Sequence, residues 1–188
     1  TSLNSDTGRK IRKAISSGIE VKSSGKRLIS DFHKVYSHRM YELGSPCASK
    51  RQISKGCKYG NKIFVAYKDN IPVGAATLCR RDDTSYENIL FATDTRYNHF
   101  YTTYALHYAM MCYVREQHAT AYWLGRSTRH SGVHLYKSHY RPEERDLFWS
   151  YSRPCKDIRQ KTWLRKLWRM LPFGLATFLG GIIYKRIY

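Results

Sequence analysis

Between residues 62 and 93 three runs of β-forming residues follow one another closely, and this meander constrains the fold more than any other feature of the chain. Residues 62–67 form the first run, Lys68-Asp69-Asn70 supplies a turn, and residues 73–79 resume as a second strand. Strand, short polar turn, strand is a hairpin signal. Arg81-Asp82-Asp83-Thr84 turns again, and residues 86–93 read as a third strand. A long helix is expected over 98–117, where Phe100, Tyr104, His107, Tyr108, Met111 and Val114 share one face, a stripe that reads as core. Asn98 suits the N-cap of that helix, with a ligand contact as the alternative.

A fourth strand is expected at 121–124. It enters Leu124-Gly125-Arg126-Ser127-Thr128-Arg129-His130-Ser131-Gly132, followed by Tyr136-Lys137 on a short helical segment and a last strand at 147–152. The loop at the strand end joins small residues to two arginines. Backbone N–H groups in a Gly/Ser turn, with Arg and Lys beside them, suit phosphate or carboxylate oxygens. A basic surface loop is the competing reading, with Arg126 paired to Asp146 or Glu143, Ser127 as a loop cap and Lys137 solvated. No base and orienter stand beside Ser127, so it does not read as a nucleophile.

Upstream, residues 9–17 form a short basic helix stopped by Gly18, and Ser23-Ser24 can cap a helix over 26–43 that ends at Gly44. Downstream the composition shifts. Residues 156–169 pattern as a basic amphipathic helix, with Ile158, Trp163, Leu164, Leu167 and Trp168 apolar, and residues 170–184 are nearly all apolar. That stretch is short of the roughly 20 residues that span a bilayer. It suits either a membrane interface or a helical hairpin packed on the domain.

The net charge is +19, from 33 Lys+Arg against 14 Asp+Glu, which calls for a polyanion: nucleic acid, an anionic membrane surface or a phosphorylated substrate. The five cysteines form no CxxC pair, so neither a disulfide framework nor a zinc site is expected, and a reducing cytoplasm fits. His130, His134 and His139 lack a carboxylate or cysteine at ligand spacing, and no metal is expected there. No secretory signal is visible.

Three meandering strands, a helix, a strand, a helical segment and a final strand is the order of a GNAT-type acyltransferase. A GNAT that binds acetyl-CoA grips the pyrophosphate with a Gly-rich loop at the long helix's N-terminus. Here that place holds Asp94-Thr95-Arg96-Tyr97-Asn98-His99, with no glycine and an acidic residue of the wrong sign, which disfavours an ordinary acetyl-CoA enzyme.

The chain resembles the C-terminal portion of FemAB-like proteins, in particular the branch associated with exosortase/PEP-CTERM exopolysaccharide systems. The matching pieces occur in order: Arg9-Lys10-Ile11-Arg12-Lys13-Ala14 with Gly18, Phe32-His33-Lys34-Val35-Tyr36, Leu43-Gly44-Ser45-Pro46, and Ile71-Pro72-Val73-Gly74-Ala75. Then come Leu124-Gly125-Arg126-Ser127-Thr128 with Ser131-Gly132, Tyr136-Lys137, and Leu167-Trp168-Arg169-Met170-Leu171-Pro172 with Leu179-Gly180. The family often has an Asp two residues before the glycine of the Gly-Arg-Ser loop, where this chain has Trp123, and more often Phe than Tyr136.

The resemblance implies an α+β, GNAT-like fold with a mostly antiparallel sheet flanked by helices, plus a C-terminal helical tail. Residues 1–25 would be a basic segment left from a missing first GNAT-like half, 26–154 the GNAT-like domain, and 155–188 the tail. The implied activity is acyl or aminoacyl transfer to an amine or sugar of a cell-envelope, peptidoglycan or exopolysaccharide precursor. Lys137 is the implied catalytic residue, near the reacting carbonyl. Arg126, Ser127, Tyr136 and Asn98 are the candidate substrate-binding residues. No cofactor is implied; acyl-CoA or aminoacyl-tRNA would enter as donor. The expected partners are that anionic donor or precursor, tRNA, an anionic membrane surface and the missing half. The expected location is the cytoplasm, peripheral at the inner face of the membrane. The alternatives are a nucleic-acid (tRNA-like) binding module and a non-catalytic membrane-surface remnant of a transferase.

Overall fold

A computed structural model describes residues 4–148, 150 and 162–187. Its centre is a five-stranded sheet in the order β1 (Ile19–Ser24), β2 (Lys62–Lys68), β3 (Ile71–Arg80), β4 (Ser85–Thr93) and β5 (Ala121–Trp123). The first four strands pair antiparallel, and β5 joins β4 in parallel. The three strands of the meander thus form where the turn residues put them, with Asp69 and Asn70 both at positive φ in the first turn. Positive φ at both central residues is what a tight hairpin turn needs.

Alternation along β2 divides the core. Ile63, Val65 and Tyr67 pack with Phe32, Val35 and Tyr36 of α2 (Ile29–Glu42), while Phe64 and Ala66 face Leu106 and Met110 of α4 (Thr102–Glu116). Successive strand side chains point to opposite faces, so helices on both sides leave β2 with no polar face. α1 (Ser5–Ser16) packs on α4 through Ile11 and Ala14, on the same side.

Several local expectations change. Ser23 and Ser24 do not cap a helix: they pair with Phe64 and Ile63 at the end of β1, and a 3-10 turn over Lys26–Leu28 leads into α2. Residues 5–24 therefore belong to the sheet and its helical layer. α2 ends as expected at Gly44, which has φ +66°; Gly44 N–H bonds Tyr41 O and Ser45 N–H bonds Met40 O, satisfying two terminal carbonyls.

The long helix begins at Thr102, not near Asn98. Asp94 accepts from Arg96 N–H and starts a 3-10 segment, Thr95–Phe100, which Tyr101 breaks in the left-handed region (φ 56°). Asn98 lies inside that segment and is not the N-cap. The strand expected at 147–152 does not form at Leu147, Phe148 or Ser150; the rest of that stretch lies outside the described residues. Leu147 and Phe148 are exposed.

The sequence reading passed over α3 (Lys50–Lys58). Its signal is Ser49-Lys50-Arg51-Gln52: the Ser49 hydroxyl accepts from Gln52 N–H and the Gln52 side chain accepts from Ser49 N–H. This reciprocal capping box satisfies two helix-end donors. Ser49→Ala should lower global stability by about 1 kcal/mol, read as a lower urea midpoint, and Ser49→Asp should recover most of it.

The tail forms α6 (Thr162–Met170) and α7 (Phe173–Ile187) on the α2 side of the sheet; residues 156–161 of the expected helix lie outside the described residues. Gly180 lets α7 lie against the 44–48 segment, since a Cβ there would sit 2.9 Å from Cys47 N. Tyr41 on α2 donates to a carbonyl in the last turn of α6 or just after it, Arg169 O or Leu171 O, each at 2.9 Å.

Candidate functional site

β4 keeps β5 as a neighbour for three residue pairs only, Ser85–Ala121, Tyr86–Tyr122 and Glu87–Trp123. Beyond them β4 runs on to Thr93 while the other chain turns away into the Leu124–Ser131 loop. Gly125 makes that turn possible. Its φ is +73°, and a Cβ would stand 2.8 Å from Asn88 O. Only glycine meets both conditions without strain.

α5 (Gly132–Ser138) follows, with Ser131 as N-cap accepting from His134 N–H. The Lys137 ammonium nitrogen reaches back to the loop, donating to Gly125 O at 2.8 Å and Arg126 O at 2.9 Å. Lys137 is half-buried, and burial lowers its pKa from the usual lysine value while the Glu87 carboxylate opposes that fall. Its proton is thus held less tightly than a solvated lysine's.

The sequence-derived residues separate in space. Lys137 and the Gly125-Arg126 backbone come together. Arg126 and Ser127 are exposed on the loop. The acidic partners considered for Arg126 are engaged elsewhere: Asp146 pairs with Arg129 at 2.7 Å, and Glu143 with Arg145 at 3.0 Å. Tyr136 points its hydroxyl inward, 2.7 Å from the Tyr140 hydroxyl. Asn98 is exposed on the 3-10 segment before α4, and no described contact joins it to the loop.

Two groups of residues were not singled out from sequence. The first is Glu87. It stands across the β4–β5 ladder from Trp123, pairs with Arg81 at 3.4 Å, and has its Oε1 about 4.0 Å from the Gly125 Cβ position. The strand neighbour therefore supplies a carboxylate beside a position where Trp123 brings none. The Arg81 and Arg145 guanidinium groups each lie over the Trp123 ring, 5.0 and 5.3 Å from its centroid. Planar cations on an aromatic face stabilise such a ring.

The second is a buried cluster behind α5. His107 is fully buried and stacks on Phe91, with its Nδ1 2.7 Å from the Tyr122 hydroxyl. Burial first, and the Lys137 charge second, push its pKa down to about 3, so it is neutral at physiological pH. Burial also raises the Tyr122, Tyr136 and Tyr140 phenols, with the neighbouring tyrosines adding to the rise for Tyr122 and Tyr136. Tyr104 shares a 2.9 Å hydrogen bond with His139, closing the cluster. The signal for it was the one-face spacing of Tyr104 and His107 together with Tyr136 and Tyr140 at i, i+4. The burial that makes His107 a neutral hydrogen-bonding group came from tertiary packing.

With this geometry the fold class is defined: it is GNAT-like. An aminoglycoside acetyltransferase from an uncultured soil metagenomic sample, solved with sisomicin, is 12% identical and has a TM-score of 0.61, over 74% of this chain and 99% of that one. FemX is 14% identical with a TM-score of 0.61, over 73% of this chain and 53% of that one. The C-terminal domain of a putative lysylphosphatidylglycerol synthetase from Agrobacterium fabrum is 11% identical with a TM-score of 0.59, over 74% and 51%. This chain thus spans about half of the FemX and synthetase chains. No protein-family model and no curated protein matches the sequence. At these identities the likeness is one of fold.

Proposed function

We propose that the domain transfers an acyl or aminoacyl group to an amine or sugar of a cell-envelope or exopolysaccharide precursor, as a FemAB-type transferase. The observation that carries this reading is the Lys137 clamp on the Gly125-Arg126 turn, next to Glu87, where β5 leaves β4 in a GNAT-like fold. The fold is shared with an acetyltransferase, FemX and an aminoacyl-lipid synthetase domain, which supports a transferase.

The chemistry balances on these residues. The acceptor amine attacks the donor carbonyl, and the carbonyl oxygen gains the charge. Lys137 stabilises that oxyanion, the electrostatic contribution that such sites preorganise. Glu87 accepts the proton the amine loses, and collapse expels the tRNA 3′ oxygen or the CoA sulfur, to which the protonated Glu87 returns that proton. Arg126 and Ser127, at the exposed lip, meet the anionic part of the donor or precursor. Among donors, aminoacyl-tRNA is favoured over acyl-CoA. The N-terminal approach to α4 carries Asp94, already paired with Arg96 at 2.6 Å, instead of a glycine-rich phosphate cradle.

The test offers radiolabelled lysyl-tRNA and radiolabelled acetyl-CoA separately to the chain, with a lipid-linked peptidoglycan precursor as acceptor. Label should move from the tRNA, and Lys137→Met and Glu87→Gln should each lower kcat by about 100-fold or more. Absence of transfer from both donors, or unchanged turnover in Lys137→Met, overturns the reading.

A further inference from the structure

We propose that the α6–α7 hairpin docks this protein, in the plane of the interface, on the surface of an anionic lipid bilayer. The observation is a division of labour around each helix. On α7 the face carrying Ala176, Gly180 and Tyr184 packs against the domain. The opposite face presents Leu175, Phe178 and Ile182, which are 44%, 67% and 50% exposed. Their i, i+3, i+7 spacing makes one continuous apolar stripe.

α6 repeats the arrangement. Leu164 and Trp168 are half-buried, while Trp163, Leu167 and Met170, again at one helical face, are 59%, 52% and 79% exposed. The flank of α6 carries Lys166 and Arg169. Large apolar side chains exposed together mark an interaction site rather than ordinary surface.

Charge identifies the occupant. From residue 158 to residue 188 the sequence contains no Asp or Glu, so every charged side chain there is Lys or Arg. The ground beside α7 has the same sign: a hollow of about 190 Å³ is bordered by Lys34 and Lys50 with Phe173 and Thr177, and none of the described residues that line it is a carboxylate. Apolar side chains ringed by cations match acyl chains below a layer of lipid phosphates. A protein partner's apolar patch would leave those cations without counter-charges. Among the described residues no helix is long and apolar enough to cross a membrane, and α7, at about 22 Å, fits lying along one.

The experiment is co-sedimentation of the whole chain with phosphatidylcholine vesicles, with and without one-third phosphatidylglycerol, at low and high salt. The chain should bind the anionic vesicles and lose binding with salt. Phe178→Ser/Ile182→Ser should weaken the partition coefficient tenfold or more, and Lys166→Gln/Lys185→Gln by about 30-fold, at ~1 kcal/mol per cation. All four substituted side chains are exposed, so circular dichroism and the urea midpoint should stay as in the parent. Three results overturn the proposal. One is no binding to anionic vesicles. Another is binding that ignores Phe178→Ser/Ile182→Ser, which would mean adsorption by net charge alone. The third is a dimer, without vesicle binding, that the same pair of substitutions abolishes, which would put a second copy on this face. Vesicle binding is read without substrate, so its outcome is independent of the transfer assay.

Discussion

Gly125→Ala is expected to destabilise the protein by about 2–5 kcal/mol, and to do so by opening the site. Two costs add. A non-glycine residue at φ +73° pays about 1–2 kcal/mol for the left-handed backbone. The new methyl also starts 2.8 Å from Asn88 O, a backbone atom in a buried stretch of β4, and insertion into packed space costs about 1–3 kcal/mol. β4 cannot yield easily, because the Asn88 side chain donates to Thr77 O and Leu90 O and so ties the strand to β3 and to itself. The loop must move instead, and Gly125 O is one of the two carbonyls that Lys137 holds. Urea unfolding should show the lower midpoint. Any transferase activity should fall further than Ser127→Ala lowers it, because Ser127 is exposed and fixes no turn. An unchanged midpoint would mean that the β4–β5 separation is softer than the geometry indicates.

Acid should destabilise the fold from about pH 6.5 downward, well before the carboxylates titrate. His107 is the cause. Its pKa falls from 6.5 to about 3 on burial, so between those values the unfolded chain takes up a proton that the folded chain does not. Stability therefore rises with pH in that window, by about 1.4 kcal/mol per unit for this one group, and is fully present above pH 6.5. By pH 4.5 the loss from His107 is about 2–3 kcal/mol. His33, also lowered by burial with Lys50 adding to it, contributes in the same direction. In His107→Gln, where a neutral side chain can still bond the Tyr122 hydroxyl, the urea midpoint should change much less between pH 6.5 and 4.5. A parent protein with a flat midpoint across that range would show that His107 is protonated in the folded state.

The membrane-docking and transfer readings place different demands on the same charge. The two proposals draw on different cations, those of α6 and α7 for a bilayer and Arg126 on the loop after β5 for a donor. Each reading has a substitution set that leaves the other untouched.

The sequence by itself determined the meander, because turns such as Lys68-Asp69-Asn70 and the alternation in β2 are encoded within a few residues. By the same local logic it determined the Gly44 stop, the helical segment holding Lys137 and the amphipathic character of the tail. Tertiary structure alone decided the features that depend on partners far along the chain. Ile19–Ser24 carries a short alternating signal, Ile19-Glu20-Val21-Lys22 between Gly18 and Gly25, that the sequence reading passed over, and its place as the edge strand was decided by β2, some 40 residues later, which offers it a ladder. The long helix starts at Thr102 because Asp94 and Arg96 close a tighter turn in front of it. His107 reads as one more residue on a core face until Tyr122, Tyr136 and Tyr140 surround it. Glu87 reads as one residue of a strand until β5 sets Trp123 beside it and Lys137 reaches back to Gly125. Local patterns specify elements, because a turn or a helical face needs only neighbouring residues. The site needs β4, β5 and α5 brought to one point, and only packing does that.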